Sequence, residues 1–512
     1  MVLSLVLGFT ECAQYTNPII WEDLADLDVF RVDNVYYYSA STMHYSPGAP
    51  ILRSYDLVTW EFVGHSVPSL DFAPKYNLSN GQQAYAKGIW ASFLKYRPSS
   101  KLFYWGGCIE SGKTYIYTAP SVTGPWTQAS VIDSCYYDAG LLVDDDGTMY
   151  VSYGSTTIHV AQLSDDGLSQ AKTAVAYTPP DNLYIEGSRF YKRNGAYYIL
   201  VTHPADAEYV LKSTSGPFGP YERRALLSKI TGPVTSGGVP HQGGLVDSPN
   251  GDWYYMSFQD AYPGGRVPVL APIAWSSDGW PTLTLVNGAW GSSYNYTAPA
   301  NRPPAVKPPT GIDYFNSTTL GPEWEWNHNP VSSAFSLSSS GLVLRTVTTT
   351  KDLYQARNTL THRILGPSST ATIELNYTGM ADGDRAGLVL LRDQSAWVGV
   401  VRDGTTFKMA FWNNIIMTTS SWTTLHTGTE VKSTAISGGT IFLRLSANIA
   451  PQSDKTATFS YSTDAGISFV KVGTFTMGTD WHFFMGYRYG IFNFATKSLG
   501  GMVTVCSFEM KP

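Results

Sequence analysis

Charge is scarce in this chain of 512 residues: Asp, Glu, Lys and Arg make up 14% of it and sum to −6. Basic residues cluster in no segment, so the footprint that nucleic acid or an anionic membrane surface requires is missing. No apolar run reaches the ~18 residues of a membrane span. Cysteine is rarer still. The four present (Cys12, Cys108, Cys135 and Cys506) lack the spacing of a zinc site. Cys108 and Cys135 lie in adjacent sequence repeats and could pair in an oxidising compartment. Sustained helical periodicity is also missing, which weakens any α/β alternative. Aromatic residues, by contrast, make up another 14%. Low charge with many rings suits a neutral, ring-shaped ligand read by stacking and hydrogen bonds, but it equally suits strands that use aromatics for packing.

One short phrase recurs. Asp26 opens DLDVFRVDNVYYYSAS, Asp138 opens DAGLLVDDDGTMYVSYGS, and Glu186 opens EGSRFYKRNGAYYILVTH. Each holds an acid, an apolar stretch, a polar turn and a Tyr-rich strand. Two further copies keep the frame with another lead residue: Trp90 in WASFLKYRPSSKLFYWGGC and His241 in HQGGLVDSPNGDWYYMSFQ. Five copies, 48 to 64 residues apart, indicate a repeat architecture. Each hairpin is followed by further strand-like segments ending in turns, about four strands per repeat, and four-stranded units repeated radially make a β-propeller. The chain therefore predicts an all-β protein with a five-bladed propeller over residues 15–297. The Pro-rich APANRPPAVKPPTG marks a semi-rigid linker over 298–312. Short strands such as GLVLRTVT and TIFLRLSAN over 313–512 predict a β-sandwich, a concanavalin-like jelly roll. Residues 1–14 read as the remnant of a secretory signal without its basic leader, or as a short buried strand. Sequons at Asn77, Asn295, Asn316 and Asn376 fit a secreted glycoprotein. A monomer is expected.

Equivalent frame positions converge if the copies surround an axis, so Asp26, Asp138 and Glu186 are expected to meet there. Carboxyl groups gathered in a narrow site repel one another and lose hydration, so packing seldom keeps them together. Glycoside hydrolysis needs two such groups, one giving a proton and one activating water, while a third can adjust the acid. His241 shares the frame position and could hold a water-bound cation, or be a satisfied structural histidine. Trp90 could stack on a sugar face or pack internally. Arg266 in PGGRVPV could hold a substrate hydroxyl or a carboxylate. The loop Met43–Pro47 is a candidate substrate surface beside Trp90. The run Asp144-Asp145-Asp146-Gly147 reads as a hairpin turn, since Ser155 stands where a calcium loop needs its last acid. A propeller can also be a non-catalytic binding module.

At these residues the chain resembles glycoside hydrolase family 43. NPIIWEDLADLDVFRVDNVYYYSAS is similar to that family's first blade, with Asp26 matching its general base and Leu27 standing where many members have Pro. YYDAGLLVDDDG matches the segment of the orienting aspartate, Asp138, and EGSRFYKRNGAYYIL that of the general acid, Glu186. HQGGLVDSPNGDWYY resembles the segment whose His, here His241, contacts a central calcium or similar ion. GGRVPV resembles the stretch carrying a substrate-binding Arg, here Arg266. DYFNSTTLGPEWEWNHNP resembles the accessory sandwich of some members. The resemblance implies an inverting hydrolase without organic cofactor. It lies nearest fungal arabinofuranosidases that take the O-3 arabinose from doubly substituted xylose of plant arabinoxylan. A β-1,4-xylosidase acting on xylo-oligosaccharides is the alternative.

Overall fold

Apolar and polar residues alternating at period two, broken by Gly, Pro, Asn and Asp, become strands and turns throughout the computed structural model, which describes residues 12–298 and 304–512. Five antiparallel four-stranded sheets follow one another along the first half. Their first strands are Asp28–Val32, Phe93–Arg97, Gly140–Val143, Glu186–Arg193 and His241–Asp247. These five abut in cyclic order, the last against the first, and so line a central axis. The chain is a five-bladed propeller in which each recurring phrase supplies the innermost strand of a blade. Closure comes from a separate ribbon, Cys12–Thr16 paired antiparallel with Ser293–Thr297. Residues 1–11 of the expected signal remnant lie outside the described residues. Cys108 and Cys135 form a disulfide joining the second blade to the start of the third. Asp144 closes a hairpin turn, accepting from Gly147 N at 2.8 Å.

Two eight-stranded antiparallel sheets form the second half. Strand Thr440–Asn448 shows why: Ile441, Leu443, Leu445 and Ala447 are buried while the residues between them are not. Such strands bury one face against the opposite sheet, giving a sandwich. Its first strand, Gly311–Asp313, pairs with Phe508–Met510. The expected linker over 298–312 thus already enters the sandwich at Gly311, and 299–303 lie outside the described residues.

The halves share a sheet. Tyr45–Ser46, from the first blade, pairs with Trp326–Asn327 at the edge of a sandwich sheet. Met43 and Tyr45 are 3% and 1% exposed, and the Arg488 guanidinium lies 3.5 Å over the Tyr45 ring. This corrects the reading of Met43–Pro47 as a substrate surface. Aromatic side chains there are satisfied by the neighbouring domain, a partner that local sequence does not reveal. Beside them Glu325 accepts from Arg363 (3.0 Å), Arg488 (2.5 Å) and His65 of the propeller (2.9 Å). A fully buried carboxylate is tolerated because cations and donors surround it.

Candidate active site

Asp26 precedes its strand in left-handed backbone (φ 56°), an uncommon state for a residue with a Cβ. Such strain persists where surroundings over-determine it. Here Arg189 donates to the Asp26 carbonyl at 2.7 Å. Arg266 grips the carboxylate with both terminal nitrogens, at 2.7 and 3.0 Å, and Ser41 Oγ adds a third donor at 2.8 Å. Of the two partners expected for Arg266, the structure therefore supplies a carboxylate of the site itself. A bidentate guanidinium fixes a carboxylate in orientation as well as charge.

Asp138 repeats the device on the third blade, with φ 49° and 8% exposure. Burial first, then the charges of Glu186 and Asp26, push its carboxyl well above the usual range, against the pull of Arg189 and Arg266. The three acids thus share one site. Glu186 begins the first strand of the fourth blade, and its Oε2 accepts from Tyr184 (2.7 Å) and Tyr137 (3.0 Å). Its Oε1 is left for other work. Crowded carboxyls cannot all ionise, so Asp138 keeps its proton at pH values where an isolated carboxyl has lost it.

Arg189, three residues after Glu186, went unrecognised in the sequence. Only 1% exposed, it donates to the carbonyls of Asp26 and Leu27 (both 2.7 Å), Ala139 (2.9 Å) and Ser188 (2.7 Å). One side chain thereby joins the first, third and fourth blades directly beneath the acids. The sequence signal was weak: one cation among the several polar residues of the inner strand Glu186–Arg193.

The second missed element comes from the sandwich. Residues 480–486 run beside the fifth blade, and the Phe484 carbonyl accepts from Arg266 Nε at 3.1 Å. Phe484 and Trp481 are 40% and 54% exposed, and Trp481 stacks on His482. The accessory domain therefore lends an aromatic edge to the site. Trp90 is half-buried, packed against the cluster that includes Phe483 and Met485, and edge-on to Tyr137 at 6.5 Å. Its indole nitrogen is spent on Ala86 O at 3.3 Å. That leaves a ring surface rather than a donor.

His241 opens the first strand of the fifth blade, with Nδ1 against the Val239 carbonyl at 2.9 Å. Nε2 is its remaining ligand atom. Among the described residues no group of three or more His, Cys, Asp or Glu side chains is placed to hold a metal. One imidazole nitrogen suits an ion that keeps its water shell, and not a protein-caged calcium, which takes 6–8 oxygens.

Residues 15–281 match the family described as Glycosyl hydrolases family 43, and residues 312–511 match the Beta xylosidase C-terminal Concanavalin A-like domain. A beta-xylosidase of Formosa agariphila is 28% identical over 96% of this chain and 89% of its own. A non-reducing end alpha-L-arabinofuranosidase of Bacteroides ovatus is 28% identical over 77% of each chain. A solved GH43 structure, described as an enzyme engineered to display both endo-xylanase and exo-arabinofuranosidase activity, superposes with a TM-score of 0.95. It is 48% identical and covers 98% of this chain and 100% of its own.

Proposed function

We propose a substrate and a division of labour for this chain, which belongs to glycosyl hydrolases family 43: it releases L-arabinofuranose side chains from arabinoxylan with inversion, taking the O-3 arabinose of doubly substituted xylose. Asp26 is the base. Held in orientation by Arg266 and Ser41, it draws a proton from a water attacking the anomeric carbon. Glu186 is the acid. Tyr137 and Tyr184 occupy its Oε2, so Oε1 protonates the departing xylose oxygen. Asp138, which keeps its own proton beside Glu186, orients the acid. The observation carrying this reading is the meeting of three carboxyls at one end of the propeller axis, one gripped by a guanidinium and one by two phenols.

For the sugar, the support is the 48% identity to a structure associated with exo-arabinofuranosidase activity. A debrancher also needs a pocket beside an open groove, and exposed Trp481 and Phe484 suit a groove wall. The β-xylosidase named among the relatives gives the second reading. The protein is secreted in this account and works as a monomer. An axial cation reached from His241 through water would add positive charge beside the acids. Chromatography of digests decides between the sugars. Arabinose from arabinoxylan is expected. Xylose from linear xylotetraose, with no arabinose from arabinoxylan, would replace this reading by the xylosidase.

A further inference from the structure

Asp23 lies three residues before Asp26 and is 8% exposed, yet it touches no candidate catalytic side chain directly through its carboxylate. Its two oxygens are divided between domains. Oδ1 accepts from Arg266 N at 2.8 Å, and Oδ2 accepts from Gly486 N at 2.9 Å. Its carbonyl accepts from Arg363 Nε of the sandwich at 2.9 Å. The packing around this bridge has no slack. A Cβ added at Gly265 would lie 2.3 Å from Asp23 Oδ1, and one at Gly486 would lie 2.4 Å from Gly264 O. Two backbones from different domains approach so closely here because neither carries a side chain.

Arg266 is thus held at both ends. Asp23 fixes its backbone, the Phe484 carbonyl fixes Nε, and Asp26 receives the terminal nitrogens. Resting on Asp26 as the base, we propose that Asp23 is a positioning residue through which the docked sandwich loop sets the orientation of Arg266, and so of the base. A carboxylate suits the task because both its oxygens only accept, whereas an amide would turn N–H groups against one of the two backbone donors.

The test compares Asp23→Asn with Gly486→Ala, which disturbs the same bridge from the sandwich side and serves if the first variant folds poorly. Gln355→Ala, which removes a 2.6 Å contact to Gln83 elsewhere in the domain interface, is the control. On arabinoxylan, Asp23→Asn and Gly486→Ala should each lower kcat roughly ten- to a hundredfold, as sub-ångström misplacement does, with KM within about twofold. Gln355→Ala should move neither. Crystals of Asp23→Asn give a readout independent of turnover: the Arg266–Asp26 fork should open beyond hydrogen-bond distance. If Asp26→Ala, assayed in parallel, keeps turnover, the assignment of the base falls while the fork geometry still judges the clamp. An intact fork with unchanged kcat, alongside a lowered melting temperature, would overturn the proposal and leave Asp23 an interface residue.

Discussion

Replacing Arg189 by Met removes the cation that joins three blades while keeping most of its volume. Four hydrogen bonds of 2.7 to 2.9 Å disappear, to carbonyls of Asp26, Leu27, Ala139 and Ser188. At about 1–3 kcal/mol per orphaned buried acceptor, the bare count overshoots, because carbonyls can recruit other donors. Met also relieves the cost of burying a guanidinium. The net loss should resemble that of other one-sided deletions in buried polar clusters, about 3–5 kcal/mol. At roughly 2–4 °C per kcal/mol for large domains, the melting temperature should fall by about 10 °C. Turnover should fall by about a hundredfold, since the left-handed Asp26 backbone and Ala139, next to Asp138, lose their anchor. Arg189→Lys, which keeps the charge but not the fork, should lie between Met and the parent in both measures. Differential scanning calorimetry and steady-state kinetics on arabinoxylan supply the numbers. Arg224→Met, breaking a pair with Asp278 whose side chains are 52% and 55% exposed, provides the baseline of a surface ion pair. Arg189→Met melting within about 2 °C of that baseline, or keeping kcat within about threefold, would show that the cross-blade tie does not hold the acids.

Asp26→Ala and Glu186→Ala should each cost about 10²–10⁴ in turnover with native circular dichroism, and Glu186→Ala should keep more activity on aryl glycosides whose leaving group needs little protonation; full activity of either on polymer refutes the roles. Proton NMR of fresh product should show inverted anomeric configuration, with Asp26 and Glu186 carboxyls roughly 6.5–9.5 Å apart in crystals, while retention would remove Asp26 from the base's place. Asp138→Asn should lower kcat yet raise the melting temperature at neutral pH. A carboxyl whose folded pKa is raised binds its proton more tightly when folded, so the stability it confers is present at low pH and drains away as pH climbs towards the folded value. The gain should therefore vanish near pH 3, and a uniform shift across pH would refute it. Chelator treatment should reduce activity or melting temperature through loss of an ion near His241; a metal-free enzyme unchanged in both makes the ion dispensable.

The blades were legible because strand alternation and turn residues are local signals, and five repetitions of one frame reinforce each other. That frame also brought out Asp26, Asp138 and Glu186, although the copies are not strictly equivalent. Asp26 and Asp138 precede their strands, whereas Glu186 and His241 stand inside theirs, each followed by a break in register. Arg189 stayed hidden because in EGSRFYKR it reads like its solvated neighbours Lys192 and Arg193, and only three-dimensional closure turns it inward. Residues 480–486 belong to another domain, and no periodicity links them to the fifth blade. Met43–Pro47 was misread for the same reason, since aromatic loops look alike whether a sugar or a second domain covers them. Positive φ at Asp26 and Asp138 had no sequence signal either, because neither is glycine and neither sits in a recognisable turn.

The borrowed strand has a consequence for inheritance. A gene truncated after the propeller would leave Met43, Tyr45 and Tyr85, now closely packed with Tyr354 and Phe483, facing water. A gene encoding the sandwich alone would leave Trp324–Asn327 as a bare strand edge, a template for pairing with other chains. Neither half is a neutral deletion. Exchange of sandwiches between relatives should succeed only when the first-blade loop travels with them, which binds two structurally separate folds into one unit of descent.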